Sequence, residues 1–88
     1  MTDAELLADD GPNSFAEFYR RHARRVAGHL MRSTGDAEVA ADLTAETFAA
    51  ALIARSRYRQ ERGEPGSWLL GIASHKLNDW RRRARSSA

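Results

Sequence analysis

Apolar side chains recur along this chain in three blocks, each with the three- and four-residue steps of an amphipathic helix. In the first block Phe15, Phe18, Tyr19, His22, Val26, His29 and Leu30 share one face, and Arg20, Arg21, Arg24 and Arg25 occupy the opposite side. Ser14 and Glu17 have the spacing of a capping box, so the helix is expected to open at Ser14. Gly35 is a natural C-terminal stop. Asp36 can cap the next helix at once, which leaves a very short connection and a tight antiparallel hairpin.

The second block predicts a helix from about Ala37 to Arg55. Its apolar positions (Val39, Ala40, Leu43, Thr47, Phe48, Ala51 and Leu52) cover an unusually wide arc. Glu38, Asp42 and Glu46 stand four apart and form one acidic stripe, with Ala45, Ala49 and Ile53 beside it. Small and apolar residues along a charged edge suit a helical partner that packs closely on the alanines, with charge at the rim. From the residues alone, an ordinary solvated face is the simpler reading.

Between Ser56 and Pro65 the sequence SRYRQERGEP has no sustained period and reads as a connecting loop longer than most. Pro65 suits the first turn of a third helix running to about Arg83. Trp68, Leu69, Ile72, Ala73, Leu77 and Trp80 share its apolar face, which assigns both tryptophans to the core. Gly71, His75, Asn78 and Arg82 fall on the other side, flanked by Ser74, Arg81 and Arg85. The expected architecture is all-α: a bundle of three main helices over residues 14–84, with a long loop before the last. An acidic extension (1–13) precedes it and a disordered polar tail (85–88) follows.

Charge sharpens this picture. Residues 55–88 hold nine basic against three acidic side chains, whereas residues 1–54 hold five against nine. The net charge of +2 therefore hides a polarised molecule. Such polarity fits a basic partner at one end and an acidic one at the other, for which phosphate backbone is the common candidate. A solvated surface with a basic tail fits the charges as well. With 88 residues and no cysteine, the chain can have neither a disulfide nor a thiolate metal site, and helix packing must stabilise a small core. No apolar run approaches the roughly 20 residues of a membrane span, and the acidic start MTDAELLADDGP is unlike a signal peptide. The chain reads as cytoplasmic, without membrane insertion.

Catalysis and cofactors find little support. His22 and His29 could share a face, but no acidic residue joins them at ligand spacing. Ser67 lacks the GxSxG setting of a hydrolase nucleophile, and Gly63 and Gly66 lack the strand and spacing of a phosphate-cradling loop. The expectation is a binding protein with no metal and no cofactor.

Three stretches taken in order, FAEFYRRHARRVAGHLMRSTGD (15–36), DAEVAADLTAETF (36–48) and RYRQERGEPGSWLLGIASHKLNDWRRR (57–83), resemble region 2 of the extracytoplasmic-function sigma factors of bacterial RNA polymerase. The resemblance covers nearly the whole chain. It implies that the segment with Asp42, Leu43, Glu46 and Phe48 binds the clamp helices of the polymerase's largest subunit. The implied polymerase-binding residues are Glu38, Asp42, Ala45, Glu46, Ala49 and Ile53. It implies further that the loop captures a base flipped from the non-template strand of the promoter −10 element, through Arg57, Tyr58, Arg59 and Arg62. The last helix would line that strand's path through His75, Asn78, Arg81 and Arg82. Two positions depart from the common pattern: Ala45 stands where the family usually has Gln, and His75 where many members have Asn. Family members commonly also bind an inhibitory anti-sigma factor. Complete members carry a second helical domain that reads the −35 element, which lies outside this chain.

Two readings from other classes compete. In a small duplex-DNA regulator the last helix would enter the major groove with base-reading side chains near its N-terminus, yet that end is Gly66-Ser67-Trp68-Leu69. The second is an interaction module that sequesters a partner without a DNA role, and the basic final third counts against it.

Overall fold

The computed structural model describes residues 1–87, and at Arg62 the backbone alone. Among the described residues four α-helices run in order: α1 (Asp3–Ala8), α2 (Pro12–Thr34), α3 (Ala37–Ala54) and α4 (Pro65–Ser87). Single 3-10 turns at Arg55–Arg57 and Gln60–Arg62 shape the loop before α4. The all-α bundle of three main helices is as the sequence implied. Among the described residues, no helix is long and apolar enough to cross a membrane.

The α2–α3 hairpin follows its sequence signals closely. Gly35 takes the left-handed conformation (φ 67°), and its N–H bonds the carbonyl of Met31, closing α2. A side chain at that φ would be strained, hence the glycine. Asp36 then accepts from the N–H groups of Glu38 and Val39 at 3.0 and 3.1 Å, so the stop of one helix and the cap of the next are adjacent residues.

The N-terminal boundary differs from expectation. α2 opens two residues early, at Pro12 after Gly11, because Pro at the first helical position needs no donor and is pre-set for the helix. Ser14 therefore lies inside the helix, and Glu17 pairs with Arg20 and Arg21 rather than closing a capping box. The box is instead at Thr2 and Glu5, each accepting the other's backbone N–H, and it starts α1.

Residues 3–8, expected to belong to an acidic extension, are part of the packed fold. Leu6 and Leu7 are 3% and 2% exposed and join the core. Asp3 accepts from Arg21 and lies 3.0 Å from Nε2 of buried His22, while Arg55 donates to the carbonyls of Asp9 and Asp10. His22 is thus a boundary histidine holding α1 down. Truncating a buried leucine costs about 2–5 kcal/mol. Leu7→Ala is expected to lower stability by that amount in a urea melt of the 88-residue chain. A loss below about 0.5 kcal/mol would mean α1 contributes nothing to the fold.

α3 packs against both α2 and α4. Phe18, Val26 and Leu30 of α2, Leu43, Phe48 and Ala51 of α3, and Leu69, Ala73 and Leu77 of α4 form one core. Trp68 and Trp80 are half-buried against it, in line with their place on the apolar face. The hydroxyls of Thr44 and Thr47 donate to the carbonyls four residues earlier, which lets polar residues sit on α3's buried side. α4 runs past Arg83: residues 85–87, expected in a disordered tail, are helical, and Ala88 lies outside the described residues. Arginine is a good helix former, and positive charge near a helix C-terminus opposes the helix dipole.

Candidate partner and nucleic-acid interface

α3 buries Ala40, Leu43, Thr44, Thr47, Phe48 and Ala51, which turns its other side outward. Glu38, Asp42, Ala45, Glu46, Ala49 and Ile53 are all exposed there. Successive steps of three and four residues put all six on one face. Ile53 is 74% exposed and the neighbouring Leu52 46%, so the face is not merely solvated polar surface. None of the three acidic side chains has an ion-pair partner among the described residues. Leu43 and Phe48, part of the segment the resemblance implied, are core residues and can act only by holding α3 in place.

Beside this face, α2 and α3 leave a shallow groove of about 350 Å³ lined by Tyr19, Ala23, Ala27, Ala41 and Ala45, with Arg24 at its edge. Tyr19 is kept upright by an edge-on contact with Phe48, ring centroids 4.7 Å apart. The groove went unseen in the sequence because it needs two helices. Its signal was present as alanines four apart on each helix, 23 and 27 on one and 41 and 45 on the other.

The second surface begins at the loop. Arg57 and Arg59 are exposed; Arg62 lies in the second 3-10 turn, its side chain outside the described residues. Tyr58 is half-buried: its ring meets Trp68 edge-on at 5.4 Å, and its hydroxyl donates to the carbonyl of Gly63 at 2.8 Å. Burial, and then the carboxylates of Glu64 and Glu61, push the phenol up, so the hydroxyl remains a donor. Gly63 has φ 128°, a conformation side chains rarely adopt, and it lets the loop turn back toward Tyr58. Arg59 donates to the carbonyls of Ser56 and Tyr58, stiffening the first half of the loop.

Along α4, Gly71, His75, Asn78 and Arg82 are exposed on one face. A cleft of about 490 Å³ runs over His75, Asn78, Arg81, Arg82 and Arg85. Arg82 is paired with Asp79 of the preceding turn, and Arg81 reaches the carbonyl of Ser33 at 3.4 Å. Nothing lies within 4 Å of where a Cβ on Gly71 would stand, so the glycine serves no packing need of the fold and leaves a notch in the polar face. The structure thus gathers the polymerase-facing candidates on α3 and the strand-facing candidates on the loop and α4. Among the described residues, no three His, Asp or Glu side chains converge as a metal site would require.

Residues 18–87 match the family described as Sigma-70 region 2. The chain belongs to the Sigma-70 region 2 family. It is 34% identical over 85 residues to the RNA polymerase sigma factor CarQ of Myxococcus xanthus, covering 92% of this chain and 46% of that protein. It is also 32% identical over 71 residues to the RNA polymerase sigma factor YlaC of Bacillus subtilis, covering 81% of this chain and 40% of that protein. The resemblance to region 2 of an extracytoplasmic-function sigma factor therefore holds. The chain spans less than half the length of either relative. No solved structure matches it at comparable significance.

Proposed function

We propose that this region 2 domain acts in transcription initiation by binding core RNA polymerase and capturing the melted non-template strand of the promoter −10 element. The outward face of α3 docks on the clamp helices of the polymerase's largest subunit. The loop takes an extruded base through Arg57, Tyr58, Arg59 and Arg62. The polar face of α4, with His75, Asn78, Arg81 and Arg82, tracks the strand beyond it. The domain works as a binder: it holds DNA that has opened and carries out no bond chemistry.

The observation that carries this reading is the segregation of two exposed faces. One is acidic with Ile53 and Leu52 standing open, on α3; the other is basic and hydrogen-bonding, on the loop and α4. A partner that is itself a basic helical pair suits the first, and nucleic acid suits the second. Pull-down of purified core polymerase by the tagged chain tests the reading directly. Failure to retain polymerase would refute it.

The strand face carries a separate expectation. Arg81 and Arg82 meet phosphate, which fixes position but carries no sequence information. Replacing both with alanine is expected to weaken binding equally across oligonucleotide sequences. The slope of log affinity against log salt should fall by about 0.7 per lost contact on single strands. Alanine at Tyr58 and Arg59 should instead flatten preference at one promoter position. Equal loss of preference from both pairs would show that the division between loop and helix is wrong.

The duplex-reading alternative is disfavoured by α4 itself. The N-terminal turn that would enter a major groove holds Leu69, fully buried, and Trp68, half-buried against the core.

A further inference from the structure

The loop before α4 does not stand free of the N-terminal segment. Its first turn packs against α1, and between them lies a cleft of about 290 Å³. Leu7, Ala8 and Asp10 form one wall; Ser56, Tyr58 and Arg59 form the other. Arg55, donating to the carbonyls of Asp9 and Asp10 at 3.3 Å each, ties the two walls together. We infer that α1 and the loop together form the receptacle for the extruded base, which makes the N-terminal segment part of the specificity site. The inference rests on the strand-capture reading above.

Three features of the cleft support a base as occupant. Its size, about 290 Å³, lies just under the range of small-molecule pockets, about 300–1,000 Å³, and suits one planar ring system. Its aromatic wall is held in place, because Tyr58 is fixed by Trp68 on one side and by the Gly63 carbonyl at its hydroxyl. A fixed aromatic face beside the apolar Leu7 is what base stacking requires. Arg59 uses one nitrogen on the Ser56 and Tyr58 carbonyls, so the rest of its fork of donors can meet the base edge.

The test fills the cleft from either wall. Ala8 and Ser56 are both exposed, so Ala8→Trp and Ser56→Trp leave the core untouched. Binding of the 88-residue chain in complex with core polymerase is measured by anisotropy. The probes are single-stranded −10 oligonucleotides, intact or abasic at one position at a time. The wild type is expected to bind the intact strand roughly tenfold tighter than the strand abasic at one position, a ratio within the reach of one stacked base. In both variants that ratio should fall to about one, with affinity for the abasic strand and capture by polymerase unchanged. A wild-type preference that survives in both folded variants would overturn the inference while leaving strand capture intact. No preference for a base at any position in the wild type would overturn both.

Discussion

Reversing charge at Asp42 and Glu46 together, as Asp42→Lys with Glu46→Lys, is expected to abolish retention of core polymerase while the fold stays as stable as before. Both residues are exposed one turn apart on α3, and neither has an ion-pair partner among the described residues, so the native fold loses no contact. Lysine is as good a helix former as glutamate and better than aspartate. A favourable spacing of Glu38 with Lys at 42 roughly offsets the new repulsion between the two lysines, each pair being worth about 0.2–0.5 kcal/mol. The melting temperature should therefore stay within about 4 °C, the shift that a change near 1 kcal/mol produces in a domain this small. Binding behaves differently. Like charges juxtaposed across an interface cost several kcal/mol, and each 1.4 kcal/mol is about tenfold in affinity. A loss of roughly a thousandfold follows, enough to empty a pull-down at sub-micromolar protein. Raised salt should weaken wild-type capture only in part, because the alanine and isoleucine contacts beside the acidic stripe are not screened. Unchanged capture by the doubly reversed chain would return the stripe to an ordinary solvated face.

Most of the fold was legible because its signals are local. A helix stop and a cap on adjacent residues, Gly35 and Asp36, fixed the hairpin, and period alone identified the buried sides of α2 and α4. The outward face of α3 was legible for the opposite reason: its small and apolar residues, Ala45, Ala49 and Ile53, broke the expected pattern of a solvent-facing edge. What escaped was tertiary. Leu6 and Leu7 form too short an apolar run to announce a helix among Asp3, Glu5, Asp9 and Asp10, and only their burial against α2 and α4 gives them a role. Ser14 with Glu17 satisfied a capping pattern that Pro12 superseded, since a proline at the start of a helix outranks a cap two residues later. Within the candidate site, the residue types of the loop were apparent, but not that Tyr58 is locked to Trp68 and Gly63. That arrangement depends on the positive φ at Gly63, and it converts Tyr58 from a free side chain into a fixed wall. Likewise, the segment from Asp42 to Phe48 mixes two roles that spacing separates only once the helix is docked. Asp42 and Glu46 face out, and Leu43 and Phe48 face the core.

The form of DNA bound is expected to be the single strand. The polar face of α4 offers Gly71, His75, Asn78 and Arg82 in mid-helix, whereas a helix entering a major groove reads bases from its N-terminal turn. That turn is committed to packing: Leu69 is buried, Trp68 supports Tyr58, and a substitution there would disturb the core before it touched DNA. A paired base reaches the loop only at a cost, because extraction from the duplex loses stacking, about 1.4 kcal/mol per step on average, on top of pairing. On DNA already melted that cost is absent, so the gain from stacking on an aromatic wall, about 1–3 kcal/mol per base, appears in full as affinity. The non-template −10 strand should therefore bind roughly tenfold or more tightly than the same sequence as a duplex. The complementary strand, equal in charge but not in sequence, should fall between them. Fluorescence anisotropy at one fixed ionic strength is the measurement, since release of counterions by the Arg-rich face makes every affinity salt-dependent. Tighter binding to duplex than to the non-template strand would replace strand capture with a helix-in-groove mode. Equal binding of the two single strands would leave α4 as a phosphate track and remove base selection from the loop.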